Sequence, residues 1–375
     1  MNNSVALSEK LQRVLREHSH ELGRISINGR AIADDQPAFV VAEAACNHMC
    51  DMALAKEMID AAAAAGADAI KFQTYKAEKL VTKDAVAFWG QEKVSQIEYY
   101  RRLDRFGRDE YQELFAYADQ RGIIPFSSPF DAESTEMLAA IGMPVFKIAS
   151  CDIPDLRHLR QVADYGRPII LSTGASTVEE IDRALETIFE QGNYQLMLLA
   201  CTLSYPTRNE DANLRRIQTL RERYPGVIVG ISDHTEPDSH MVIPAVAVAL
   251  GARIVEKHYT LDRSMSGSGH FFAVDPGSLR MMVANIRVTQ TVLGDGALGV
   301  AASEQKAWES ARRSIVAEVA IGKGDLVREE MLGIKRPGSN GIPASELGTI
   351  VGKRAVVDIA PDTFITMEML EQESE

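Results

Sequence analysis

The sequence predicts an α/β fold: a (β/α)8 TIM barrel followed by a small C-terminal domain. Three observations predict it. Eight short apolar runs rich in β-branched residues alternate with helical patterns, which calls for parallel strands joined by helices. The alternation stops past Gly294. The chain has 375 residues, more than the roughly 250 that such a barrel uses. An open doubly wound sheet is the rival, weakened because no Gly-rich dinucleotide loop follows the first strand.

Taken in order, residues 2–22 read as a short amphipathic helix through Leu7, Leu11, Val14 and Leu15. Asn28-Gly29 signals a hairpin turn. The strand candidates are FVVAE (39–43), DAIKFQ (68–73), IIPFSS (123–128), PVFKIAS (144–150), PIILST (168–173), LMLLAC (196–201), VIVGIS (227–232) and ARIVEKH (252–258). Between them MALAKEMIDAAAAAGA, AESTEMLAAIG, VEEIDRALETIFEQG and SHMVIPAVAVALGA carry helical periodicity and close on glycine, as helix ends commonly do. The domains read as an N-terminal extension (1–23), the barrel (24–294), a linker (295–311) and a tail domain (312–375). In the tail, IGKGDLVREEML and IAPDTFITMEML form an internal repeat, which suggests two copies of a β-turn-helix unit.

A hydrophobic content of 46% supplies a sizeable core, and a net charge of −13 argues against nucleic-acid or anionic-membrane partners. An anionic substrate must then find a local basic pocket. Four cysteines, no secretory leader and no apolar run long enough to span a bilayer predict a soluble protein in a reducing, cytoplasmic setting.

The C-terminal strand ends of a TIM barrel surround its active site. Here they carry Glu43, Lys71 with Gln73, Ser127 with Ser128, Lys147 with Ser150 and Asp152, Ser172 with Thr173, Thr202 with Tyr205, Ser232 with His234, and Glu256 with His258. A lysine inside IKFQ or FKIAS points into a crowded ring and needs an anion or a carboxylate. Lys71 and Lys147, with the flanking hydroxyls, therefore make an anion pocket. His234 and His258 end adjacent strands, and two imidazoles with open positions suit a borderline divalent ion such as Mn²⁺, Zn²⁺ or Co²⁺ rather than Ca²⁺. The stretch Cys46-Asn47-His48-Met49-Cys50 mimics a metal site, but a structural zinc needs four ligands and no second pair lies nearby.

These residues resemble the sialic acid (N-acetylneuraminate) synthases and their legionaminic and pseudaminic acid relatives. The likeness runs from about Arg24 to the end, through AEAACNH, GADAIKFQTYKAE, SSPFD, FKIAS, LSTGAS, ACTLSYPT, GISDHT and EKHYTLDR, then RRSIVA and KRPGSNGI. The resemblance implies a TIM barrel with a small antifreeze-like SAF domain (β-clip). It also implies condensation of phosphoenolpyruvate (PEP) with the open-chain aldehyde of an N-acylated amino sugar.

By motif match, His234 and His258 would ligate the divalent cofactor, Mn²⁺ foremost, with Co²⁺, Mg²⁺ or Zn²⁺ as alternatives. Lys71, Lys147, Ser150, Ser172 and Ser232 look like the PEP cradle, and Glu43 like the carboxylate that handles protons. Gln73, Ser128, Asp152 and Tyr205 look like further substrate contacts. Arg336 matches an arginine that reaches the partner subunit's site, which implies a domain-swapped homodimer.

Departures fall on the acceptor side. Gly267-Ser268-Gly269-His270 stands where relatives often read Gly-Pro-Asp, so a carboxylate for sugar hydroxyls is missing. Asp152 stands where many have Glu, and Leu203 where a polar residue is common. The acceptor is then expected to differ from N-acetylmannosamine. A related condensation giving eight- or seven-carbon keto acids, and a non-catalytic sugar or anion sensor, are the competing readings; the KRPG motif argues against the first, and retention of both lysines and both histidines against the second.

Overall fold

The computed structural model describes residues 6–87, 95–267, 269–338 and 340–372. Positions 2–5 of the expected N-terminal helix, Ser268 and Ser339 lie outside the described residues. The chain divides after Gly294 into two compact units.

In the first unit, strands β1 (Arg24–Ile27) and β2 (Arg30–Ala33) form an antiparallel hairpin about Asn28-Gly29, both in the left-handed region that this turn requires. The next eight strands are all parallel: β3 (Phe39–Ala45), β4 (Ala69–Thr74), β5 (Ile124–Pro129), β6 (Phe146–Ile148), β7 (Ile169–Ser172), β8 (Leu196–Cys201), β9 (Ile228–Asp233) and β10 (Ile254–His258). They pair in chain order, and β10 closes on β3 to complete the barrel. Each expected run overlaps one of these strands. PVFKIAS keeps only three strand residues, because Ser150–Asp152 turns into a 3-10 helix at the rim.

Several of the helices start at a side-chain cap. Asp51 accepts the N–H groups of Ala53 and Leu54 ahead of helix Met52–Ala64. Asp131, Asp155 and Asp275 do the same for the helices at Ala132–Ala140, Leu156–Asp164 and Pro276–Leu293. Thr177 and Glu180 form a capping box for Val178–Glu190. At the N-terminus, helices Glu9–Glu17 and Ser19–Leu22 bury Leu11, Leu15 and Leu22 in the barrel's own core cluster. No helix among the described residues is long and apolar enough to cross a membrane.

The second unit is built around β11 (Ser314–Ala317) and β12 (Leu332–Lys335), which pair antiparallel. The two repeat copies meet at an antiparallel bridge between Ile321 and Ile359. In each apolar pair the second residue, Val327 or Ile365, is buried in a core shared with Ile315, Ile342 and Leu370. The expected helix of each copy is a single 3-10 turn, at Glu329–Met331 and Met367–Met369. Leu332 or Leu370 returns the chain to extended backbone directly afterwards, so a longer helix has no room. The segment expected as a linker carries a 3-10 turn, Ala302–Glu304, and a helix, Gln305–Ala311.

Gly230 on β9 sits where neighbouring strands pack closely. A β-carbon there would lie 2.7 Å from both the Ile254 Cβ and the Leu199 Cδ2 and would also strike the Ile254 carbonyl. Gly230→Ala should lower unfolding free energy by about 3 kcal/mol, as overpacking of a rigid core does. A urea midpoint unchanged from the parent chain would contradict this packing.

Candidate active site

Because a strand alternates its faces, Lys71 and Gln73 share the barrel interior, as do Glu256 and His258. Lys257, between the latter two, points the other way and pairs with Asp233 at 2.6 Å. Register sets Glu43 of β3 beside Lys71 of β4, and Ser232 of β9 beside Glu256 of β10.

The result is a buried cluster of four charged groups. Lys71 Nζ lies 2.6 Å from Glu43 Oε2 and 3.7 Å from Glu256 Oε2. Lys147 Nζ is 3.9 Å from Glu256 Oε1 and donates to the Ile148 carbonyl at 3.0 Å. Gln73 donates to Glu43 Oε1 at 3.0 Å, Lys71 reaches Ser128 Oγ at 3.3 Å, and Ser232 donates to Glu256 Oε1 at 2.8 Å.

The two carboxylates are driven apart. Burial, with the negative Glu256 nearby, outweighs Lys71 and pushes Glu43 up to about 7. Burial also opposes charge on Glu256, but Lys147, Lys71 and the Ser232 hydroxyl outweigh it and hold Glu256 below its ordinary value. Burial depresses Lys147, and Glu256 offsets this only in part. Several polar atoms here are buried without a hydrogen-bond partner: Glu256 Oε2, Ser172 Oγ and Asp152 Oδ2. Asp152 is raised to about 7, mainly by burial. Such atoms cost free energy unless a ligand or water completes them.

Beside this cluster the two imidazoles meet, ring centroids 5.3 Å apart. His234 Nδ1 donates to the Thr202 carbonyl at 3.0 Å, which leaves Nε2 as its free lone pair. Burial, reinforced by the neighbouring His234, holds His258 well below the ordinary histidine range and keeps it neutral. Burial opposes charge on His234 too, but Cys201 at 3.8 Å and the Thr202 carbonyl outweigh it and favour its proton. Tyr205 covers the pair, 4.3 Å from the His234 ring and 5.8 Å from that of His258. Two nitrogen donors with open positions fit a weakly held divalent ion. Among the described residues no group of three His, Cys, Asp or Glu side chains is arranged to hold a metal.

Direct contacts therefore join Glu43, Lys71, Gln73, Ser128, Lys147 and Ser232, and ring contacts join His234, His258 and Tyr205. Ser150 Oγ accepts the Gly174 N–H at 2.9 Å. A side chain on Gly174 would crowd Ser150 Oγ and Cys201 Sγ, both 2.9 Å from its β-carbon position. Arg336 belongs to the second unit, exposed just past β12. The residue that sequence reasoning left without a role is Glu256; its two-residue offset from His258 was the available signal.

In the stretch with two cysteines, His48 is a core histidine. Its Nδ1 accepts the Cys50 N–H at 3.1 Å, and its ring stacks on Phe106 at 4.8 Å. Cys46 is buried against the Tyr75 hydroxyl at 3.4 Å.

An eight-stranded parallel barrel with a buried charge cluster and an imidazole pair at its C-terminal rim defines a TIM-barrel enzyme. Residues 58–297 match the NeuB family and residues 312–371 the SAF domain. The N,N'-diacetyllegionaminic acid synthase of Campylobacter jejuni is 37% identical over 87% of this chain and 98% of its own. Human N-acetylneuraminate-9-phosphate synthase is 32% identical over 92% and 95%. The crystal structure of N-acetylneuraminic acid (sialic acid) synthetase from Leptospira borgpetersenii, in complex with citrate, has a TM-score of 0.69 at 36% identity, covering 76% of this chain and 94% of that one. The chain belongs to the NeuB family, the sialic acid synthases and their relatives, and is an enzyme of that synthase class.

Burial pushes His48 down to about 4. The unfolded chain takes up this proton below pH ~6.5 while the native chain refuses it, so the stability His48 confers is present above that pH and lost as pH falls towards 4. Between pH 7 and 5 the loss should be about 2 kcal/mol. Urea unfolding of the parent and of His48→Asn at both pH values checks this; an equal pH dependence in both chains would count against it.

Proposed function

We propose that the barrel condenses phosphoenolpyruvate with the open-chain aldehyde of an N-acylated amino sugar, giving a 2-keto-3-deoxy sugar acid and phosphate. In this reaction C3 of PEP bonds to the aldehyde carbon, the oxygen of water bonds to C2, and the C2–phosphate bond breaks. The observation that carries the reading is the juxtaposition of Lys71, Lys147 and the unpartnered Ser172 hydroxyl with the imidazole pair. Family membership and the relatives' names support it.

Lys71 and Lys147 would hold the carboxylate and phosphate of PEP, since each ammonium keeps donors beyond its present partners. Ser172, whose hydroxyl has no partner, adds a neutral donor. Ser232 contributes less in this arrangement, because its single proton is given to Glu256. Glu43, raised to about 7, can hold a proton and release it near neutral pH beside the reacting carbons. Holding both substrates in one cavity makes their encounter effectively intramolecular.

His234 and His258 would ligate a divalent ion, Mn²⁺ foremost. That ion, when bound, supplies Lewis acidity to an oxygen of the acceptor. The loop after β10 brings no charged side chain between Arg263 and Asp275. We therefore assign an acceptor other than N-acetylmannosamine, with a bis-acetamido sugar as the first candidate. Arg336 would complete the site of a partner subunit in a domain-swapped homodimer. The four cysteines are free thiols, which supports a reducing, cytoplasmic setting.

The test is phosphate release from PEP with a panel of amino sugars, using chelator-treated protein with and without restored Mn²⁺. Release is expected only with the ion, and faster with bis-acetamido acceptors; none with any acceptor would sink the proposal. In the same assay Ser172→Ala should raise KM for PEP about 10-fold, the worth of one hydrogen bond to a charged group. Ser232→Ala should raise it less, and equal effects would reverse the assignment.

If Arg336 acts across a dimer, mixing His234→Ala with Arg336→Ala chains should restore part of the activity that each lacks. A mixture as silent as its components would refute the exchange.

A further inference from the structure

His258 lacks the usual means of orientation. A metal-binding imidazole is normally held by a hydrogen bond at its second nitrogen. His234 has such a bond to the Thr202 carbonyl, whereas His258 Nδ1 is buried without a partner. Ring packing takes its place. Phe272, 3% exposed, meets the His258 ring edge-on with centroids 4.9 Å apart, and also lies 5.5 Å from the Tyr205 ring.

Phe272 sits on a loop closed at its base, where Val274 N donates to the His258 carbonyl at 2.8 Å and Thr260 N to the Val274 carbonyl at 2.9 Å. Within the loop, His270 is buried and bonded to the Thr260 hydroxyl at 2.7 Å. Arg263 adds a second fixed point. Its Nε and Nη2 both donate to the Phe271 carbonyl, at 3.0 and 2.6 Å, and Nη2 also meets Glu236 Oε1 at 2.9 Å. Glu236 stands two residues beyond His234 on the loop after β9. One guanidinium thus ties together the two loops next to the imidazoles.

We propose that Arg263 and Phe272 form a clamp that positions His258: the guanidinium fixes the Phe271 carbonyl, and this sets the Phe272 ring against the imidazole in place of the missing hydrogen bond. Both are positioning residues. The proposal rests on the reading of His234 and His258 as ligands of a divalent ion. It requires the forked geometry of arginine, because a lysine can pair with Glu236 but cannot also hold the carbonyl through two nitrogens.

The test is a calorimetric titration of the full, chelator-treated chain with Mn²⁺ alone, without substrates. Arg263→Lys and Phe272→Leu should each weaken Mn²⁺ binding about 10-fold or more, the usual effect of losing an outer-shell contact. Phe271→Leu, on the exposed neighbour, should leave it unchanged, and affinity of the metal-free protein for inorganic phosphate should not move in any variant. Because Arg263 lies at the surface, Arg263→Lys keeps the test informative even if Phe272→Leu folds poorly. Unaltered Mn²⁺ affinity in Arg263→Lys, or a parallel loss of phosphate affinity, would overturn the clamp while leaving the ligand reading intact. Absence of Mn²⁺ binding by the parent chain would overturn the ligand reading and the clamp with it.

Discussion

Two ammonium groups inside a closed ring of strands are the constraint on which the site depends. Removing one charge from water costs several kcal/mol even after relaxation, and Lys71 and Lys147 are each 3% exposed. The barrel meets this with Glu43 and Glu256, one short contact at 2.6 Å and two longer ones at 3.7 and 3.9 Å. The longer contacts matter chemically, because at those distances the ammonium protons are not consumed by the carboxylate. Charge is balanced while donors remain free, an arrangement suited to receiving an anion.

The rest of the rim follows from that balance. With Glu256 held ionised by both lysines, Glu43 is the carboxylate that burial can push towards neutrality, so two chemically identical side chains acquire different protonation habits. The imidazoles stand on the neighbouring rim position, His258 two residues beyond Glu256 on the same strand. Tyr205, Phe272 and the Arg263 loop wall them with rings and backbone rather than with charge. The walls beside the imidazoles are thus uncharged, while positive charge is concentrated at Lys71 and Lys147.

Much of the fold was legible in the sequence. Eight apolar runs gave the eight barrel strands because a parallel strand buried on both faces has a short, β-branched signature. Asp51, Thr177 and Asp275 cap their helices through local bonds that need no tertiary partner. The repeat in the tail was visible, but its helices were overestimated. Glu329–Met331 and Met367–Met369 have helical composition, yet the following leucine is claimed by extended pairing in the small core, and tertiary packing overrides propensity.

Within the site, strand parity in the sequence already determined that Lys71, Gln73, Glu256 and His258 face inward, because side-chain direction alternates by local sterics alone. It could not determine partners. That Glu43 rather than Glu256 makes the short contact to Lys71, that Ser232 gives its proton to Glu256, and that His258 leans on Phe272 are decided by the stagger of strands around the closed barrel and by loop paths. Those depend on every strand at once, and distance between side chains far apart in the chain exists only after the ring has closed.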